Sequence, residues 1–150
     1  MIHSMRIKLF LQKQLEEMEL HICFREYTEE VKKVKETIEQ AVNFTITGYT
    51  EQGAELVAAD SIVRIFTEGQ NVFAASEEKV FRLHKRLYEL ETILQERNFI
   101  RISNSEIVNT KKIIRLDTSV TGTIRIFLKG NMESYVSRRN VSRIKKALGI

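Results

Sequence analysis

The stretch "LYELETILQERNFIRISNSEIVN", residues 87–109, changes its hydrophobic period partway through, and that change decides the fold. Leu83, Leu87, Leu90 and Leu94 recur at steps of four, three and four, which places them on one face of a helix. From Phe99 onward the period is different. Phe99, Ile100 and Ile102 flank Arg101, the polar run Ser103-Asn104-Ser105 interrupts, and Ile107 and Val108 resume the apolar pattern. Short apolar runs broken by a polar tip predict two strands joined by a turn.

Working outward, the strand pattern dominates. Toward the C-terminus, "KIIRLD", "TIRIFL" and "ESYVS" read as strands, and "LKGNM" reads as a hairpin turn because Gly130 and Asn131 tolerate positive φ. Toward the N-terminus, "NFTITGYT", "DSIVRIFTE", "NVFAAS" and "KVFRLH" also read as strands, with "EGQ" and its Gly69 as a turn. "MRIKLFLQ" and "ELHICFREY" alternate and predict two more strands. "TEEVKKVKETIEQ" is helical: Val31, Val34 and Ile38 share a side, and Glu29 and Glu30 sit in the first turn, where the helix dipole favours them. The last segment, "SRRNVSRIKKALG", carries Val141, Ile144 and Leu148 at helical spacing. The expected architecture is mainly β (α+β by content), with three short helices near residues 28–40, 86–97 and 138–148. No proline or low-complexity linker divides the chain. Residues 1–41 are therefore expected to form a β-β-α extension packed on a core of residues 42–150.

Composition narrows the function classes. Hydrophobic content of 43% with 29% charged residues is ordinary for a soluble globular chain. No apolar run approaches the ~18 residues of a membrane span, and "MIHSMRIKLF" lacks the ordered zones of a secretory signal. A cytoplasmic protein is expected. Cys23 is the single cysteine, so no internal disulfide can form, and its alternating surroundings suit a small buried hydrophobe. His3, His21 and His84 are scattered without metal-ligand spacing. No GxSxG, P-loop or GxGxxG occurs. Neither catalysis, a cofactor nor a metal is expected.

The formal net charge of +4 hides an asymmetry. Residues 41–96 hold 5 Lys+Arg against 9 Asp+Glu, whereas residues 97–150 hold 12 against 3. A last third of net +9 points to a polyanion, most simply nucleic acid. Three groups could contact it. Arg101, Ser103 and Asn104 surround the polar tip and can donate to phosphates and base edges, with Lys111 and Lys112 adding charge a few residues on. In the C-terminal helix, Ser137 looks like an N-cap, which puts Arg138 and Arg139 in the first turn against the dipole, with Arg143 one turn on. That placement makes sense if an anion binds there, since dipole, free N–H groups and guanidinium groups would then attract together. In the loop "TEGQN", the amides of Gln70 and Asn71 could reach base edges. An RNA-binding β module and a protein-interaction or inhibitor module without nucleic acid are the alternatives. The first would want stacking aromatics, and the basic third offers Phe99, Phe127 and Tyr135 in strand contexts.

Several of these stretches, in order, resemble the LytTR DNA-binding domain family. "DSIVRIFTEGQNVF" is similar to its strand, polar loop and strand, and "LYELETILQERNFIRISNSEIVN" to its signature. "GTIRIFLKGNMESYVSRRNVSRIKKALG" is similar to its closing hairpin and the helix that begins Ser-Arg. The resemblance spans residues from about 42 to 150. It implies an elongated antiparallel β fold with short flanking helices that inserts loops into the grooves of double-stranded DNA, usually with two copies on direct repeats. By likeness, Asn104 matches a DNA-contacting asparagine, Arg139 a base-contacting arginine and Arg101 a basic position beside the asparagine. Gln70 and Asn71 fall in the first contact loop. The segment before residue 42 is shorter than the ~120 residues of a receiver domain and contains no Asp. The layout is similar to stand-alone LytTR regulators, which implies a membrane-bound regulatory partner. Residues 1–40 could serve as a docking surface for that partner or as a homodimer contact.

Overall fold

The computed structural model of the chain describes residues 6–16, 19–119 and 121–150, so that His3 and Met5 lie outside it. The chain divides into two compact units, Met1–Thr37 and Ile38–Ile150. In the first, the two expected strands do not form: residues 6–16 and 19–28 carry no strand. Alternation supplies a β-like side-chain pattern, but a strand also needs a hydrogen-bonding neighbour. Ile7, Leu9, Phe10 and Leu11 are 80–91% exposed, and Cys23, expected to be buried, is exposed as well. The expected helix is present as α1, Glu29–Val42. The Thr28 hydroxyl accepts from the Val31 N–H at 3.3 Å, which caps its first turn.

The second unit is built of antiparallel strands. In chain order these are β1 (Thr45–Thr50), β2 (Gly53–Ala58), β3 (Ile62–Glu68), β4 (Asn71–Ser76) and β5 (Val80–Leu83), then α2 (Leu87–Leu94). After α2 come β6 (Phe99–Ser103), β7 (Glu106–Asn109), β8 (Ile113–Asp117), β9 (Ile124–Leu128), β10 (Met132–Val136) and α3 (Val141–Leu148). A seven-stranded sheet has the order β2-β1-β5-β4-β3-β7-β6, and a three-stranded sheet has the order β10-β9-β8. The expected mainly β, α+β architecture is what forms. The strand that escapes a reading of the sequence is β2. It pairs along its whole length with β1 but sits at the sheet edge with Leu56 76% exposed, so no clean alternation marks it.

Two apolar clusters lie on opposite faces of the larger sheet. One gathers Ile46, Ile62, Ile65, Ala74, Phe81 and Ile107 under Leu87, Leu90 and Leu94 of α2. The other gathers Val63, Ile100, Ile102 and Val108 against Ile124, Ile126, Leu128 and Val136 of the smaller sheet and Ile144 of α3. β3, β7 and β6 are therefore covered on both faces, which is why "IV", "FI" and "IV" occur there as consecutive apolar pairs. Register irregularities fall between Ile62 and Arg64 and between Arg101 and Ser103. The residues they skip, Val63 and Ile102, are both fully buried in the second cluster. At Gly130 (φ +75°) a Cβ would lie 3.2 Å from the Glu77 backbone, so both conformation and space require glycine in the β9–β10 turn.

Candidate nucleic-acid interface

The β6–β7 turn, Asn104-Ser105, is held from three sides. The Ser105 carbonyl accepts from the Thr67 N–H at 2.9 Å, which ties the turn to the end of β3. The Ser103 hydroxyl accepts from the Ser105 N–H at 3.2 Å and meets the Ser105 hydroxyl at 3.2 Å. The Arg101 guanidinium supplies the third hold. Its Nε donates to the Ser103 carbonyl at 2.6 Å and its Nη2 to the Asn104 carbonyl at 2.7 Å. Its Nη1 donates to Glu91 of α2 at 2.9 Å. All three guanidinium nitrogens of Arg101 thus have internal partners, and the side chain is only 19% exposed. Arg101, expected as a phosphate contact, braces the turn that carries Asn104, with all three of its guanidinium nitrogens engaged. The Asn104 residue itself is exposed.

Next to this turn lies the C-terminal arginine group. The Ser137 N–H donates to the Ile102 carbonyl at 2.9 Å, so the end of β6 anchors the segment after β10. Arg138 and Arg139 do not occupy the first turn of an α-helix, as the sequence suggested. They belong to a 3-10 turn, Arg138–Asn140, and α3 begins at Val141. Ser137 precedes that turn without making a side-chain cap. Its hydroxyl instead accepts from the Asn140 side-chain amide at 2.8 Å. The turn lets two cations stand ahead of the dipole's positive end without being wound into it. Arg138 lies over the β8–β9 loop, where a Cβ on Gly122 would be 3.4 Å from its Nε. Arg139 is exposed and has no hydrogen-bond or ion-pair partner among the described residues. Arg143, on α3, donates to Glu91 at 3.1 Å and remains 52% exposed.

The β3–β4 tip is the third element at this end. Thr67, bonded to the β6–β7 turn, leads directly into Glu68–Asn71. Gln70 is exposed at the tip, whereas the Asn71 side-chain oxygen accepts from Arg82 at 2.8 Å. Bonds thus link the Asn104 turn to the end of β3 that leads into Gln70, β6 to the segment that leads into Arg138 and Arg139, and Arg101 through Glu91 to Arg143, which makes these residues one connected group. Lys111 and Lys112 are not among them. They follow β7 in a 3-10 turn, Thr110–Lys112, at the opposite end of the β6–β7 hairpin, roughly 13 Å away along four strand residues. Lys112 pairs there with Glu77 at 3.5 Å. β7 carries the chain away from the tip, so Lys111 and Lys112, expected to reinforce it, stand at the other end of the hairpin.

Two residues outside the expected set brace the β6–β7 hairpin, one at each end. Glu91 binds both Arg101 and Arg143, the second across 52 positions of sequence. Asn109, 2% exposed, donates to the Ile62 carbonyl at 2.9 Å and accepts from the Lys111 N–H at 3.1 Å. Asn109 closes the "EIVN" part of the signature as an internal brace between β7 and β3. Glu91 had a faint signal, a carboxylate on the flank of a leucine stripe, but nothing in its spacing names its partners.

Fold and site together define a β-rich domain that gathers polar turns and arginines at one end of its sheet. The chain belongs to the LytTr DNA-binding domain family, whose model matches residues 52–149. It is 31% identical over 147 residues to an uncharacterized HTH-type transcriptional regulator of Staphylococcus aureus strain MSSA476, covering 97% of this chain and 99% of that one. A counterpart from strain MW2 matches to the same extent. The fold is similar to a solved LytTr DNA-binding domain from Bacillus cereus, with a TM-score of 0.68 and 24% identity over 71% of this chain and 97% of that one. The family is one of DNA binding and not an enzyme family. Among the described residues five strands separate α1 from α2 and five more separate α2 from α3, so no helix-turn-helix pair occurs there. No helix among the described residues is long and apolar enough to cross a membrane.

Proposed function

We propose that the chain is a sequence-specific regulator of transcription that inserts its polar turns into the grooves of double-stranded DNA. The observation that supports this most is the Ser137-to-Ile102 hydrogen bond, which ties the segment leading into exposed, unpaired Arg139 to the strand that leads into the Asn104 turn. Asn104 and Arg139 then read base edges, with Ser103 and the Gln70 tip beside them. Arg138 and Arg143 contact phosphates, and Arg101 holds the turn in register. The likeness to full-length relatives named transcriptional regulators supports the regulatory role. Two copies on direct repeats, a homodimer and a membrane-bound regulatory partner belong to the same proposal, in a cytoplasmic protein. A single-stranded RNA reader is less well supported, because Phe99 is buried and Phe127 lies under the Arg115 guanidinium at 3.9 Å.

The test is a salt series on duplex DNA. If Arg138 and Arg143 meet phosphates, the log of the binding constant falls with the log of salt with a slope near −0.9 per contact, so about −2 or steeper. A flat dependence would point to a protein-interaction module instead, and stronger competition by single-stranded RNA than by duplex DNA would favour the RNA reader.

A further inference from the structure

Glu91 is the only carboxylate bonded to the arginines of the interface among the described residues, and it divides its two oxygens between them. One, Oε2, accepts from Arg101 at 2.9 Å, and the other, Oε1, from Arg143 at 3.1 Å. The two pairs differ in setting. The Arg101 side chain is 19% exposed and is also fixed by two backbone carbonyls. The Arg143 side chain is 52% exposed and has no other partner among the described residues. The first pair is an internal brace; the second is a surface ion pair that water and anions can reach.

We propose that Glu91 is a positioning residue with a built-in anionic brake: it accepts from Arg143 Nη1 and offsets that side chain's charge, so that any polyanion binding Arg143 competes with a carboxylate already in place. This rests on the DNA-binding reading for its physiological target but on the geometry alone for the competition itself. The consequence is a selective one. Phosphate contacts carry no sequence information. A cation kept in an internal pair therefore lowers affinity for every duplex alike, while the Asn104 turn, held by the other half of the same carboxylate, keeps its shape. Restraining non-specific binding and ordering the reading turn are then two tasks of one side chain.

Glu91→Gln separates those tasks. Its amide retains one acceptor oxygen, which the more buried and better anchored Arg101 keeps, and its NH2 group now faces Arg143 as a donor facing a donor. We expect Glu91→Gln to bind random and specific duplexes about two- to fivefold more tightly at fixed salt, the range of a half-exposed ion pair, with their ratio unchanged. The variant should also elute from immobilised heparin at higher salt than wild type. Removing a negative charge strengthens any polyanion complex at long range, so the control is Arg143→Ala in both backgrounds. The long-range part of the gain remains when Arg143 is absent, so the brake requires a larger gain with Arg143 present than in the Arg143→Ala background. Equal gains in the two backgrounds, or a Glu91→Gln protein that binds heparin no more tightly than wild type, overturn the brake. Heparin needs no duplex recognition, so its arm judges the competition even if the wild-type protein shows no salt-dependent duplex binding, a result that would instead count against the DNA reading.

Discussion

The two ends of the β6–β7 hairpin are both basic, yet they differ in what their cations do. At the Lys112 end part of the charge is matched locally: Lys112 pairs with Glu77 at 3.5 Å and nearby Lys79 with Glu55 at 3.3 Å, while exposed Lys111 has no ion-pair partner among the described residues. At the Asn104 end one carboxylate, Glu91, serves two arginines, while Arg138 and Arg139 have no ion-pair partner among the described residues. Net charge counts both ends equally. The field that a phosphate backbone meets depends on which charges are already neutralised within the fold. The lesson is that an excess of +9 in the last third locates a polyanion surface only after its internal pairs are removed.

The comparison breaks most easily at its structural support. Ile144 is fully buried beneath α3 in the second cluster. Ile144→Ala should cost about 2–5 kcal/mol of stability in urea unfolding. It should also unseat the arginine turn, so that specific DNA binding falls in protein that is still folded. A loss under 1 kcal/mol would show that α3 is not seated as described. A smaller effect is expected from Arg139→Ala, which removes a side chain with no internal partner and so leaves stability within about 0.5 kcal/mol. Specific binding should weaken by about 1–3 kcal/mol with relaxed preference at one base position. Equal loss on specific and random DNA in gel shifts would reassign Arg139 to a phosphate. The smallest effect sharpens the contrast from the other side. Lys111→Ala and Lys112→Ala should change duplex affinity by less than about 0.5 kcal/mol each. A loss matching that of Arg139→Ala would place DNA at the opposite end of the hairpin.

Much of the fold was legible because the chain's two periods contrast sharply. The leucine stripe ending at Leu94 and the "FIRIS" strand beginning at Phe99 are separated by four polar residues, and α2 and β6 form where that contrast predicts. Illegible were features that depend on partners rather than pattern. Residues 6–11 alternate as β2 does not, yet β2 is the strand, because Thr45–Thr50 offers it an edge to pair with. At the candidate site, the polar run at Asn104 was legible as a turn between two strands, which is where it lies. Arg101 differs because its role is decided by carbonyls two and three residues away, which a tight turn folds back onto it. The start of α3 was misread for a related reason: a 3-10 turn and an α-turn share apolar spacing over so short a span. The Glu91–Arg143 pair bridges elements that only packing of both clusters brings together, and no local rule reports it.

The double covering of β3, β7 and β6 has a consequence for how the interface is prepared. Strands shielded on both faces and paired on both edges, as β3 and β7 are, cannot admit water by local fraying. Their amide protons should exchange with deuterium only when the whole domain opens, later than those of β2 at the sheet margin. The Asn104 turn is anchored to one of these strands through Thr67 at the end of β3, and the arginine turn to the neighbouring edge strand β6 through Ile102. Both turns are thus held from the doubly covered part of the sheet. Under the proposed function, association would carry little ordering entropy, and DNA whose grooves already fit would be favoured over DNA that requires the surface to remodel.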